Sequence, residues 1–155
     1  MLFTDGSVNT KSKTGFGAYL FLSEFGQSID LLRKQLKVKR FENTSSTKLE
    51  LQTLLWAFSD IKELESKLIV YTDSQNILSL QRRRERLEQN DYRSKNHKLI
   101  RNHELYKEFY RTTDNMDYEL VKVSGHKVSN QKDDIDKIFT LVDRASRNAL
   151  RADDY

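Results

Sequence analysis

Apolar and polar residues along the 155-residue chain change period several times, and each change marks a predicted element. Met1–Phe3 is a short apolar run leading into Thr4-Asp5-Gly6-Ser7, a polar stretch follows to Thr14, and Gly15 opens the next segment. Phe16-Gly17-Ala18-Tyr19-Leu20-Phe21-Leu22 is rich in aromatic and aliphatic residues and predicts a strand. Glu24-Phe25-Gly26-Gln27 predicts a turn, and the alternation from Gln35 to Glu42 predicts a third strand, completing a three-stranded meander. From Thr47 to Leu64 the period becomes helical, with Leu51, Leu54, Leu55, Phe58, Ile61 and Leu64 recurring on one side. Leu68-Ile69-Val70-Tyr71 is a continuous apolar run, typical of a strand covered on both faces. Helical segments are predicted from Ser74 and over Lys98 to Tyr110, then a strand over Tyr118 to Val123. A last helix covers Lys137 to Arg151, with Ile138, Leu141, Val142, Ala145 and Ala149 in step. The order β-β-β-α-β-α-α-β-α describes a mixed sheet with helices packed on it, an α/β domain.

Composition narrows the chemistry. Cysteine is absent, which removes disulfides, thiolate metal sites and cysteine nucleophiles. No stretch approaches the ~20 apolar residues of a membrane span, and no charged-then-apolar leader opens the chain, so a soluble cytoplasmic protein is expected. The length fits one domain over residues 1–155. The formal net charge is only +4, but it is unevenly placed. Residues 81–101 hold eight Lys or Arg and three acids, a local +5, so the other 134 residues sum to −1. Basic residues in such a segment make sequence-independent, salt-sensitive contacts to phosphates; a solvated helix face is the plainer alternative.

The acids stand at the ends of elements. Asp5 follows the first strand, Glu50 opens the first helix, Asp73 ends the buried strand and Asp143 lies in the last helix. Ligands of α/β sheets bind beyond the carboxyl ends of strands where the topology switches. If the first and fourth strands are parallel neighbours, Asp5 and Asp73 emerge side by side there. Carboxylates so placed repel, and a hard divalent cation such as Mg²⁺ relieves them. Each acid also has a plainer reading. Asp5-Gly6 is a hairpin-turn dipeptide. Thr47-Lys48-Leu49-Glu50 fits a capping box. Asp73 fits an N-cap for the helix from Ser74, and Asp143 fits a helix pair with Arg147.

Taken together the motifs are more specific. Thr4-Asp5-Gly6-Ser7 and Gly15-Phe16-Gly17-Ala18-Tyr19-Leu20 resemble the opening hairpin of type-1 ribonuclease H. Ser45-Ser46-Thr47-Lys48-Leu49-Glu50-Leu51 resembles that family's first-helix motif, and Tyr71-Thr72-Asp73-Ser74-Gln75 its fourth-strand motif. Gly125-His126 and Val142-Asp143-Arg144-Ala145-Ser146-Arg147 resemble its last two. All five occur in family order across nearly the whole chain.

The resemblance implies a ribonuclease H-like fold: a five-stranded mixed sheet, three-stranded antiparallel meander plus two parallel strands, with helices on both faces. It implies a monomer and a substrate that is an RNA–DNA hybrid. The implied reaction is endonucleolytic hydrolysis of the RNA strand, giving 3′-hydroxyl and 5′-phosphate ends, with two Mg²⁺ ions for which Mn²⁺ substitutes. Carried over by position, Asp5, Glu50, Asp73 and Asp143 are the metal-binding carboxylates and His126 is a loop histidine for proton shuttling or product release. Gly6, Ser7, Ser46, Thr47, Ser74 and Gln75 are expected at the substrate, because the 2′-hydroxyl is what separates RNA from DNA. Arg82, Arg83, Arg84, Arg86, Arg93, Lys95 and Lys98 form the expected basic protrusion over residues 81–101. Tyr92 beside them is open between stacking and packing.

Three departures stand out. Ser46 and Thr47 replace an Asn pair common in the family, the first strand is short, and sixteen residues separate His126 from Asp143. The longer spacing makes Asp133, Asp134 and Asp136 rivals for the fourth ligand; Asp143 matches the surrounding motif better. Two alternatives stand beside the hybrid nuclease: an enzyme of the same fold acting on DNA by cleavage or strand transfer, and a non-catalytic hybrid-binding module.

Overall fold

A computed structural model of the chain describes residues 1–61, 64, 66–123 and 133–153. Two strands open it, β1 (Leu2–Asn9) and β2 (Thr14–Phe21), joined by a turn in which Lys13 takes a left-handed φ of 58°. Helix α1 (Ile29–Gln35), β3 (Lys37–Phe41), α2 (Ser46–Asp60) and β4 (Leu68–Thr72) follow. The chain continues through α3 (Gln75–Leu78), α4 (Leu80–Gln89), α5 (His103–Thr113), β5 (Tyr118–Lys122) and α6 (Asp134–Asp153).

The sheet order is β3-β2-β1-β4-β5. The first three strands pair antiparallel, while β4 lies parallel to both β1 and β5. This is the five-stranded mixed sheet expected from the motifs. The period-2 alternation of its strands divides the core in two. Leu2, Tyr19 and Val70 turn to one face, where α2 covers them with Leu51, Leu54 and Ala57, and α5 adds Tyr106 and Phe109. Phe3, Ala18, Leu20 and Tyr71 turn to the other face, against Ile138, Phe139 and Val142 of α6.

One helix departs from the sequence reading. Residues 29–35 fold as α1 between the second and third strands, so the meander is interrupted, and β3 begins only at Lys37. Of its apolar residues only Leu32 is buried, while Ile29 and Leu31 are exposed, so the helical period is missing. Its local signals are the Ser28 hydroxyl, which accepts from the Leu31 amide at 3.2 Å, Asp30 in the first turn and Arg33 and Lys34 in the last.

Helix α2 lies unusually close to the first hairpin because three glycines underlie it. A Cβ on Gly6 would stand 2.9 Å, and one on Gly15 2.7 Å, from Cδ2 of Leu49. One on Gly17 would stand 2.1 Å from Oγ1 of Thr53. That close approach sets how far Glu50, between those two helix residues, stands from the strands.

Candidate active site

Pairing between β1 and β4 is limited to Leu2–Val70 and Phe3–Tyr71. Beyond Phe3, β1 stays with β2 and parts from β4, opening a gap at the carboxyl end of β4. Asp5 is therefore not in a turn; it pairs with Ala18 inside the hairpin ladder, and the turn comes after Asn9. By alternation its side chain shares the α6 face with Phe3 and Ser7.

Glu50 comes to the same gap from α2. The capping-box reading of Thr47 and Glu50 is replaced by a different cap: the Ser45 hydroxyl accepts from the Lys48 amide at 3.3 Å. Glu50 instead accepts a hydrogen bond from the Ser74 hydroxyl at 2.5 Å. Nor is Asp73 the cap of α3, a role Ser74 fills by accepting from the Ile77 amide at 3.2 Å. Asp5, Glu50 and Asp73 line one small cleft. Asp143, carried on α6, stands near enough to Asp5 to act on its carboxyl. Asp143 also pairs with Arg147 at 3.1 Å, as its helix spacing suggested. The Ser7 and Ser146 hydroxyls meet at 3.1 Å and join β1 to α6 beside the carboxyl pair.

Asp136 has other work. Its amide donates to the Asp133 carboxylate at 2.8 Å, and its own carboxylate accepts from the Asp133 amide at 3.4 Å. This reciprocal pair is a capping box at the start of α6. It gives Asp136, 6% exposed, a structural reason for its place, whereas Asp143 is a neighbour of Asp5.

The electrostatics follow from crowding. Burial, the neighbouring Asp143 carboxyl and repulsion from Asp73 push the Asp5 carboxyl up to about 9. Glu50 is raised by burial and by Asp73, with the Ser74 hydrogen bond opposing. Crowded carboxylates of this kind are relieved by a proton or by a bound cation. Among the described residues no group of three or more acids or histidines stands close enough together, as placed, to hold a metal ion. The donor set nevertheless fits a hard divalent cation in its chemistry: oxygen ligands only, mutually repelling, with Asp5, Glu50 and Asp143 half-buried and Asp73 exposed.

The remaining expected residues divide by environment. Gly6 turns the side on which a Cβ would stand toward Leu49, so packing accounts for the glycine. Ser46 and Thr47 form the first turn of α2, and Gln75 is exposed at the start of α3. Ser74 is 4% exposed and turned inward. His126 lies outside the described residues.

The basic segment is not one uniform face. Arg84 bonds Glu88 at 2.8 Å and both carboxylate oxygens of Asp114 at 2.5 and 2.8 Å, with its guanidinium 4.8 Å from the Tyr110 ring centre. Arg83 lies 5.3 Å from the ring centre of Tyr106 and donates to Asn76. Arg82, Arg86, Arg93, Lys95 and Lys98 are exposed, although Arg93 also donates to the His97 carbonyl at 2.8 Å. Arg83, Arg86, Arg93, Lys95 and His97 line a concave surface of about 790 Å³. His97 belongs to the same basic run in the sequence, which is the signal that places it on this surface. Tyr92 packs: it is 7% exposed in the core beneath α4 and α5.

The sheet order and the acidic gap at its parallel junction define an α/β domain built to gather carboxylates at a strand end. The RNase H family matches this chain over residues 1–144, and the chain belongs to that family. It is a hydrolase, a ribonuclease H, of a family that acts on RNA–DNA hybrids. None of the curated protein sequences matches it. Among solved structures it is similar to a foamy viral protease–reverse transcriptase in complex with double-stranded DNA. The likeness has a TM-score of 0.66 and 11% identity, covering 94% of this chain and 92% of that one. At that identity the likeness speaks for the fold. Among the described residues no helix is long and apolar enough to cross a membrane.

Proposed function

We propose that the protein cuts the RNA strand of RNA–DNA hybrids internally, leaving 3′-hydroxyl and 5′-phosphate ends, with two divalent cations held by Asp5, Glu50, Asp73 and Asp143. The observation that carries this reading is that Asp5, Glu50 and Asp73 line one cleft, with Asp143 beside Asp5. When bound, Mg²⁺, or Mn²⁺ in its place, supplies an activated water and stabilises the leaving oxygen. The protein's own part is to hold four carboxylates in register and to bring the strand to them. Asp5 and Asp143 serve from the α6 face, Glu50 from α2 and Asp73 from the end of β4. His126 completes the set as a group that moves a proton or helps product leave.

Substrate contacts follow from exposure. The first-turn amides and hydroxyls of Ser46 and Thr47 are donors suited to a phosphate. Arg82, Arg86, Arg93, Lys95 and Lys98 are exposed toward the hybrid backbone, Arg93 while also bonded to the His97 carbonyl, whereas Arg83 and Arg84 shape the protrusion from within. Ser7 and Gln75 lie beside the cleft, and Gly6 brings backbone close to it.

The test compares a labelled RNA–DNA hybrid, duplex DNA and duplex RNA, each with Mg²⁺ or with EDTA. Metal-dependent cuts within the RNA of the hybrid alone are expected. Cleavage of duplex DNA would redirect the proposal to a DNA-acting enzyme, and binding without cleavage would leave a hybrid-binding module.

A further inference from the structure

Ser74 was expected to face nucleic acid, yet it is 4% exposed and its hydroxyl is engaged on both sides. It accepts from the Ile77 amide at 3.2 Å and donates to Glu50 Oε2 at 2.5 Å, while the Ser74 amide donates to Thr72 Oγ1 at 3.1 Å. A serine hydroxyl has one proton to give. With the Ile77 amide directed at its oxygen, that proton goes to Glu50. These bonds tie the end of β4, which carries Asp73, to α2, which carries Glu50.

The terminal torsion of a glutamate is broad and weakly restrained. A bond at Oε2 restrains it and leaves Oε1 for another partner. We propose that Ser74 is a positioning residue: it fixes the Glu50 carboxylate so that its other oxygen is presented to a divalent cation, and it sets Glu50 against Asp73. The inference rests on the metal-binding reading above and concerns how that site is held. Groups that hydrogen-bond a metal-ligating carboxylate typically change metal affinity by about 10–100-fold when removed.

A plain helix cap is the competing account, and three variants separate the two. Ser74→Gly removes the donor but keeps most of the cap, since glycine costs only a few tenths of a kcal/mol at that position. Ser74→Ala removes both, and Ser74→Thr keeps both. The full chain, without nucleic acid, is titrated with Mn²⁺, and binding is followed by loss of the free-ion electron paramagnetic resonance signal. Hybrid cleavage across a Mg²⁺ series and thermal melting are measured on the same proteins.

Ser74→Gly and Ser74→Ala are expected to weaken Mn²⁺ binding roughly tenfold and to raise the Mg²⁺ needed for half-maximal cleavage in step. KM for the hybrid stays within about twofold, and Ser74→Thr restores both metal readouts, as a role played through Glu50 requires. Unchanged Mn²⁺ affinity in Ser74→Gly, with only melting affected in Ser74→Ala, would reduce Ser74 to a cap. A raised KM with unaltered metal requirement would return it to the substrate. Failure of Ser74→Thr to restore binding would show that the hydroxyl is not what matters. A parent protein that binds no Mn²⁺ but cuts the hybrid in EDTA overturns the metal reading together with this inference.

Discussion

The sharpest perturbation of this fold is a single methyl group, Gly17→Ala. The new Cβ would stand 2.1 Å from Thr53 Oγ1 and 3.0 Å from both Thr53 Cβ and Cγ2. Thr53 cannot simply turn away. It is fully buried, and its hydroxyl donates to the Leu49 carbonyl at 2.8 Å. Any staggered rotamer leaves its Cβ in contact. Restoring ordinary van der Waals separation requires α2 to lift by roughly 1 Å. Overpacking of this kind costs about 1–3 kcal/mol, a fall in Tm of about 3–10 °C for a chain of this length. Because Glu50 is carried on α2, the lift also draws a carboxylate out of the cleft. Misplacement by about an ångström has lowered rates by two orders of magnitude elsewhere, so cleavage at 25 °C should fall more than stability does. Circular-dichroism melting and hybrid cleavage on the same preparation measure both. Adding Thr53→Ala removes Oγ1, the atom that leaves least room, together with Cγ2, and should recover more than half of each loss beyond the effect of Thr53→Ala alone. A Gly17→Ala protein with the parent's Tm and rate, or a double variant no better than additive, would refute the account of how α2 is seated.

Three further outcomes follow from the site. Burial and neighbouring acids raise the folded-state Asp5 carboxyl to about 9 from an ordinary 3.8, so in EDTA its contribution to stability is full below pH 4 and is lost as pH rises toward 9. Urea melts should show stability falling by at least about 1 kcal/mol between pH 5 and 8, and Asp5→Asn should flatten that fall while abolishing cleavage. Asp136→Asn should cost about 1 kcal/mol through the α6 capping box and keep cleavage within a few-fold, whereas Asp143→Asn should keep the fold and lose cleavage by orders of magnitude. Arg84→Ala should lower Tm by a few degrees with little effect on hybrid affinity. Arg86→Ala should leave Tm alone and reduce the salt slope of hybrid binding by about one.

Much of the site was legible because its residues recur in order with their neighbours: Asp5 with Gly6, Asp73 with Ser74 and Gln75, Asp143 with Arg147. The fold was legible where burial enforces a period, as in α2, β4 and α6. Helix α1 was hidden because a helix half-covered at a sheet edge needs only Leu32 inside, and its remaining apolar residues follow no stripe. The plainer cap readings of Glu50 and Asp73 failed for a related reason. Ser45 and Thr47 both stand ahead of an apolar run, and Asp73 and Ser74 both precede a helix. Which one caps depends on where the other's side chain is drawn, and tertiary partners decide that. Charge alone also could not separate Arg84 from Arg86, since the acid that claims Arg84 most tightly, Asp114, lies thirty residues on.

The seam between β1 and α6 has a consequence for the whole chain. Asp5 meets Asp143, and Ser7 meets Ser146 across 139 positions of sequence. A cation gripped by both sides of that seam would act as a reversible cross-link closing almost the entire polypeptide into one loop. Cross-links that close long loops remove the most freedom from the unfolded chain. In such a molecule the ion that serves the reaction also fastens the last helix to the first strand, so losing catalytic metal and loosening the two ends of the chain become one event.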